Sequence, residues 1–156
     1  MTTFRSMRYR TPHLLPAILC LLISFAGCAF PRIVVLRDPL TSEEHLNLGV
    51  TYEKQEEYDN ALKEYKLATK DLPVAYLYMG NIHFQRGKLD EAEKLYKRSI
   101  EKDPANADAY NNLAWLYYVK GENLDKAEAF ALRAMQLNSS KIHIYQDTLE
   151  KIREKK

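Results

Sequence analysis

Few residues of this 156-residue chain are equipped for chemistry. It has no Gly-rich phosphate loop, no G-x-S-x-G and no H-E-x-x-H. His143 stands alone, and the acid pairs Glu56, Glu57 and Asp90, Glu91 fall where carboxylates suit helix starts. The chain is instead rich in amides and rings, with 11 Tyr, 5 Phe and one Trp. An amide offers both a donor and an acceptor, so it can hold a peptide backbone of any sequence. Trp and Tyr are frequent binding anchors. That chemistry is recognition. No catalytic residue, metal ligand set or cofactor is expected.

Such residues need a scaffold, and the chain supplies one by repetition. Three segments align: HLNLGVTY (45–52), YLYMGNIH (76–83) and YNNLAWLY (110–117). Each has a ring or His, a large apolar residue three on, a small residue next, and a ring or His three further on. A second helical pattern follows each: Ala61, Tyr65, Ala68; then Ala92, Tyr96, Ser99; then Ala127, Ala131, Ala134. Steps of three and four residues place these on one helical face. Pro73 and Pro104 close the first two units. Glycine is scarce, with five in all, while Ala, Leu, Glu and Lys abound, which favours helix.

This pattern resembles the tetratricopeptide repeat (TPR), whose signature runs Trp, Leu-Gly, Tyr, Ala, Phe, Pro. The first unit carries Leu48, Gly49, Tyr52, Ala61, Tyr65, Ala68 and Pro73, with His45 in place of Trp. The second carries Tyr76, Met79, Gly80, Ala92, Tyr96 and Pro104, and departs at His83 and Ser99. The third carries Tyr110, Leu113, Ala114, Tyr117, Ala127 and Ala134. It has Ala131 where a ring is usual, Ser139 where Pro is usual, and one extra residue near Gly121, Glu122 and Asn123. The resemblance implies an all-α fold, an α-solenoid of three TPR helical hairpins plus a C-terminal capping helix. The repeats would run about 42–72, 73–106 and 107–140. The capping helix, about 141–155, would cover the open end with Ile142, Tyr145, Leu149 and Ile152. Thr41 with Glu44 reads as a capping box. Gly49 to Gly80 spans 31 residues against 34 from Gly80 to Ala114. The deficit aligns just after Pro73 and predicts a tight turn between the first two units.

The resemblance also places the recognition residues. In TPR proteins the first helix of each hairpin lines a concave groove that holds an extended or helical peptide. The matching positions here are Asn47, Val50, Tyr78, Asn81, Phe84, Asn111, Asn112, Trp115 and Tyr118. His45 and His83 fall on inward ring positions and read as packing residues. Some TPR proteins use a ladder of Asn; Asn47 and Asn112 fall on its sites and Tyr78 interrupts it. Others clamp a C-terminal carboxylate with Lys and Arg, and the matching positions here carry no such cations.

Ahead of the repeats, Arg5, Arg8 and Arg10 form a basic leader without an acid. Leu14 to Ala26 is a 13-residue run, apolar except for Ser24, with Pro16 near its start. A bilayer-spanning helix needs about 20 residues, whereas this length suits a secretory signal peptide. Ala26 and Gly27 directly precede Cys28, which resembles a bacterial lipobox with Phe25 where Leu is usual. On this reading residues 1–27 are a lipoprotein signal peptide and Cys28 is lipidated. Residues 28–40 are then an extended tether, whose Pro31 and Pro39 exclude a helix interior, and 41–156 the TPR domain. The alternative is an uncleaved anchor, since the apolar run extended to Phe30 reaches 17 residues. Either reading exports the repeats, because the positive flank stays inside. Met7 is a second candidate start. Ala29 resembles the residue that follows the Cys in lipoproteins sent to an outer membrane. Cys20 leaves with the leader and a lipidated Cys28 cannot pair, so no disulfide is expected.

Charge narrows the partners. Three of the 23 basic residues precede Cys28, leaving 20 against 21 acidic ones. That balance gives nucleic acid no basic surface to hold. Lys151, Arg153, Lys155 and Lys156 read as a solvated helix end favoured by the helix dipole. The expectation is a membrane-anchored scaffold or assembly factor of the bacterial cell envelope that binds a protein or peptide. One alternative is a glycan or small-ligand binder that stacks its ligand on Tyr78, Trp115 and Tyr118. Another is an accessory to an envelope cysteine peptidase, because the segment from Asp38 to Thr41 resembles those leading into repeats appended to bacteriocin-processing peptidases. Mass spectrometry of the chain recovered from its native membrane should give a mature protein beginning at Cys28 with added acyl mass; an intact leader would make the apolar run an anchor instead.

Overall fold

The computed structural model describes residues 38–156. The leader, Cys28 and the tether as far as residue 37 lie outside the described residues. From Ser42 onward helix alternates with short turns: α1 Ser42–Lys54, α2 Tyr58–Ala68, α3 Val74–Gln85, α4 Leu89–Lys102, α5 Ala107–Lys120, α6 Leu124–Leu137, a single 3-10 turn Ser139–Lys141, and α7 Ile142–Lys155. No strand occurs among the described residues. The helices pair in sequence as antiparallel hairpins, α1 with α2, α3 with α4 and α5 with α6, and α7 packs on α6 and α5. Stacked hairpins in one line are an α-solenoid.

Local chemistry sets the helix ends. The Thr41 hydroxyl accepts the Glu44 N–H at 3.2 Å, and the Thr41 N–H donates to the Glu44 carboxylate at 2.8 Å. That backbone donor holds the Glu44 carboxyl below the usual carboxylate range. Asn106 caps α5 through the Ala109 N–H at 3.0 Å. Each hairpin turn has a left-handed residue seven beyond the small residue of the first helix. Repeats two and three use Gly87 and Gly121, with φ of 71° and 70°, but repeat one uses Glu56 at φ 61°. A side chain in that conformation costs about 1–2 kcal/mol of backbone strain. The extra residue of repeat three is taken up in the turn, where Asn123 adopts φ 52° ahead of α6.

The hairpins close through a contact that only a missing Cβ permits. A Cβ built on Gly49 would lie 2.5 Å from the Tyr65 ring, and one on Gly80 would lie 2.5 Å from Tyr96. Both rings are buried, Tyr65 at 0% and Tyr96 at 2% exposure. Repeat three solves the same packing differently. Ala114 stands in the glycine position and Ala131 in the ring position, both fully buried. The aromatic volume moves one residue back, to Phe130, whose ring lies 5.9 Å from Tyr110 and 6.2 Å from Tyr117. His45, in the place of the signature Trp, is buried with its Nδ1 2.6 Å from the Glu64 carboxylate.

Two expectations need correction. The three residues missing from repeat one come out of the end of α2, which has 11 residues where α4 and α6 have 14. The following connection, 69–73, is one residue longer than its counterpart 103–106, so no tight turn forms there. In α7, Tyr145, Leu149 and Ile152 are buried as expected, but Ile142 is 40% exposed and Thr148 takes a buried place. Surface ion pairs then join neighbours: Arg86 to Asp59 at 2.7 Å, Lys120 to Asp90 at 3.0 Å, Lys141 to Asp108 at 2.7 Å. Each adds at most about 1 kcal/mol, so burial of the ring-and-alanine core carries the stack. No helix among the described residues is long and apolar enough to cross a membrane.

Gly80→Ala should destabilise the domain by about 1–3 kcal/mol, as overpacking does. The double change Gly80→Ala with Tyr96→Ala, which copies the Ala114–Ala131 solution, should cost less than the sum of the two single changes. Urea unfolding followed by circular dichroism measures the cycle.

Candidate functional site

Helices α1, α3 and α5 present equivalent positions in step, counted from Gly49, Gly80 and Ala114. One row is Val50, Asn81 and Trp115; a second is Asn47, Tyr78 and Asn112; a third is Glu53, Phe84 and Tyr118. Two adjoining recesses open along these rows. The first, about 410 Å³, lies between Val50, Glu53, Tyr58, Tyr78 and Gln85, with Lys54 and Glu56 at its edge. The second, about 350 Å³, is lined by Glu53, Asn81, Phe84, Gln85, Tyr96, Asn112 and Trp115. They share Glu53 and Gln85, so together they form one groove that crosses all three repeats.

The polar groups of the groove are positioned by the rings that close the hairpins. The Tyr65 hydroxyl donates to the Glu53 carboxylate. The Tyr96 hydroxyl donates to the Asn81 side-chain oxygen at 3.0 Å, and the Asn112 amide donates to the same oxygen at 2.8 Å. Burial pushes both phenols up from their ordinary value, and for Tyr65 the Glu53 carboxylate adds to the shift. Both therefore stay protonated donors. The Asn81 oxygen is fully engaged by these two donors, while its own NH₂ and the Asn112 side-chain oxygen have no hydrogen-bond partner among the described residues. Those two groups are what the amide pair offers a ligand. Tyr78 stacks on Tyr65 at 5.2 Å, so it packs and lines the first recess at once.

The third repeat's rings are more covered than the sequence implies. Trp115 and Tyr118 lie 4.8 Å apart, centre to centre. The Lys151 ammonium stands 5.1 Å over Trp115, and that of Lys155 stands 4.8 Å over Tyr118. Lys155 also donates to the Tyr118 carbonyl at 2.7 Å, and Arg153 and Lys156 reach Glu128 at 2.8 and 3.1 Å. The basic end of α7 is exposed, as the sequence reading expects, and its cations also reach across to α5 and α6.

Of the residues expected in the groove, Val50, Tyr78, Asn81, Phe84, Asn112 and Trp115 line it. Asn47 is exposed on α1 outside both recesses, and Tyr118 lies beside them under Lys155. Asn111 is 8% exposed, its side-chain oxygen has no partner, and it lines neither recess. It sits one residue, about 100° of helix turn, away from Asn112. Its row is that of Leu46 and the buried Leu77, a packing row. Glu53, Tyr58, Gln85 and Tyr96 are groove residues that the sequence reading missed, with Lys54 and Glu56 at the edge. Glu53 shares its row with Phe84 and Tyr118, which was the available signal. His83 is half-buried, burial lowers its pKa, and its Nδ1 has no partner. It faces neither recess.

Comparison with known sequences agrees with the repeat geometry. The pattern described as TPR repeat matches residues 80–121, and that described as tetratricopeptide repeat matches residues 45–70 and 107–141. The chain belongs to the tetratricopeptide-repeat family. The human Protein O-mannosyl-transferase TMTC1 is 30% identical over 124 residues, which are 69% of this chain and 14% of that protein. This TPR chain therefore spans a small part of that relative. Among solved structures, the TPR2B domain of yeast Sti1 in complex with an Hsp70 peptide superimposes with a TM-score of 0.67 at 20% identity, covering 74% of this chain and 98% of that one. The first TPR of Spaghetti (RPAP3), bound to the HSP90 peptide SRMEEVD, gives 0.64 at 22%, covering 74% and 94%. These likenesses establish a shared TPR fold.

The two groove amides should separate in stability. Asn81→Ala leaves the buried Tyr96 hydroxyl without its acceptor and should cost about 1–3 kcal/mol, whereas Asn112→Ala should cost less than about 1 kcal/mol. Chemical denaturation of both variants checks the order.

Proposed function

We propose that this TPR domain is a non-catalytic docking module whose groove holds a segment of a partner protein. The observation that carries the reading is the lining of the second recess. An Asn81–Asn112 pair with unspent donor and acceptor groups shares its walls with Phe84 and Trp115. Amides of that kind satisfy a peptide main chain while flanking rings bury apolar side chains. Two solved relatives of the same fold are recorded with peptides, which supports the reading. Carrying over the transferase activity of the human relative has no such support, because this chain spans 14% of it.

We further infer that the module is exported and held at a bacterial membrane by acylation of Cys28, with the repeats on the extracytoplasmic side. The support is the basic leader, the 13-residue apolar run and the small residues before Cys28. The function is then assembly or scaffolding at the cell envelope. A glycan-stacking role is less well supported, since ammonium groups cover faces of Trp115 and Tyr118.

The test is photo-cross-linking of the full chain in intact host cells, beside a variant carrying Trp115→Ala and Asn112→Ala. A partner captured by the wild type should be lost by about tenfold or more in the variant, a difference of about 1.4 kcal/mol or more, with helicity unchanged. Equal capture by both proteins would reject the groove.

A further inference from the structure

We propose that the groove selects a partner segment bearing a Lys or Arg side chain, which pairs with Glu53. This rests on the groove being the docking surface and adds what the partner must carry. Four glutamates of the described residues are half-buried: Glu53, Glu64, Glu93 and Glu128. Three of them face a basic side chain. Glu64 meets His45 at 2.6 Å, Glu93 meets Lys97 at 2.7 Å and Lys120 at 3.3 Å, and Glu128 meets Arg153 at 2.8 Å and Lys156 at 3.1 Å. Glu53 alone has no ion pair among the described residues; its partner is the neutral Tyr65 hydroxyl. A carboxylate drawn out of water without a counter-charge is unfavourable, and an arriving cation relieves that.

The surroundings fit the long basic side chains. Glu53 borders both recesses, so a ligand in either half of the groove passes it. In the first recess Tyr58 and Tyr78 stand beside it, with Val50 on the wall. Tyrosine faces attract an ammonium or guanidinium, and apolar walls accept the methylene stem that precedes the charge. The other charges at this recess are Glu56, which adds to the negative field, and Lys54, exposed at the edge and outside ion-pair distance of Glu53. At the opposite end, Lys151 sits over Trp115. The groove is thus negative toward repeat one and positive toward α7. It is a poor seat for an acidic peptide such as the SRMEEVD held by the RPAP3 repeat, unless that peptide keeps clear of repeat one.

The full chain, in micelles of an uncharged detergent, would be applied to an array of random 12-residue peptides that also carries SRMEEVD. Bound peptides should be enriched about tenfold in Lys or Arg at one position. Glu53→Gln keeps an acceptor for the Tyr65 hydroxyl; it should retain helicity and drop the enrichment to background. Glu43→Gln, the same charge change at an exposed α1 position outside the groove, should retain it. Enrichment that survives Glu53→Gln, or that favours acidic peptides, overturns the proposal. Peptide binding without any charge preference overturns it while leaving the docking module intact. Absence of peptide binding overturns both.

Discussion

The contact between a residue without a side chain and a tyrosine ring is what the rest of this domain is built around. Where Gly49 meets Tyr65 and Gly80 meets Tyr96, the two helices of a hairpin approach until the ring lies on bare backbone. Interiors are packed too densely for a methyl group to be slipped into such a contact without displacement. The spacing of the two helices within each of these hairpins follows from that approach. Repeat three shows that the constraint is one of summed volume: two alanines replace the glycine and the ring, and Phe130 supplies the missing bulk from the next position.

The same rings join stability to recognition. Tyr65 and Tyr96 are buried, yet the hydroxyl of each donates to a groove residue, Glu53 in one case and Asn81 in the other. The core therefore orients the site directly, without a separate layer of supporting residues. The first two repeats differ in what receives the phenol. A carboxylate does so in repeat one and an amide in repeat two, and this gives one continuous surface two chemical characters. The third repeat, lacking the ring, has no such hydroxyl to give. Its groove residues are instead steadied from outside, by the lysines of α7 over Trp115 and Tyr118.

Much of this was legible in the sequence, for a physical reason. A small residue and a ring 16 positions apart, repeated twice, leave few structures other than a hairpin of fixed length. The helix order and most of the groove followed from that phase. Reading failed where one residue type serves two environments. Asn111 looks like its neighbour Asn112, but a rotation of about 100° carries it into a packing row. Glu53 looks like any acid near a helix end, and only the rings of its row, Phe84 and Tyr118, mark it as a groove position. The short α2 was misplaced because Pro73 draws the alignment to itself, whereas the lost turn lies before it.

Trp115 is the single tryptophan of the chain, and its position gives the protein a built-in optical gauge. The indole lines the groove, lies beside Tyr118, and has the Lys151 ammonium 5.1 Å above it. Indole emission responds to nearby charge and to water, and both change at this spot when the groove fills or when α7 lifts. The native fluorescence of the unlabelled chain therefore reports on two events, occupancy of the groove and seating of the last helix. The two events act on the ring differently: a ligand in the groove displaces water from it, and an undocked helix removes the ammonium above it.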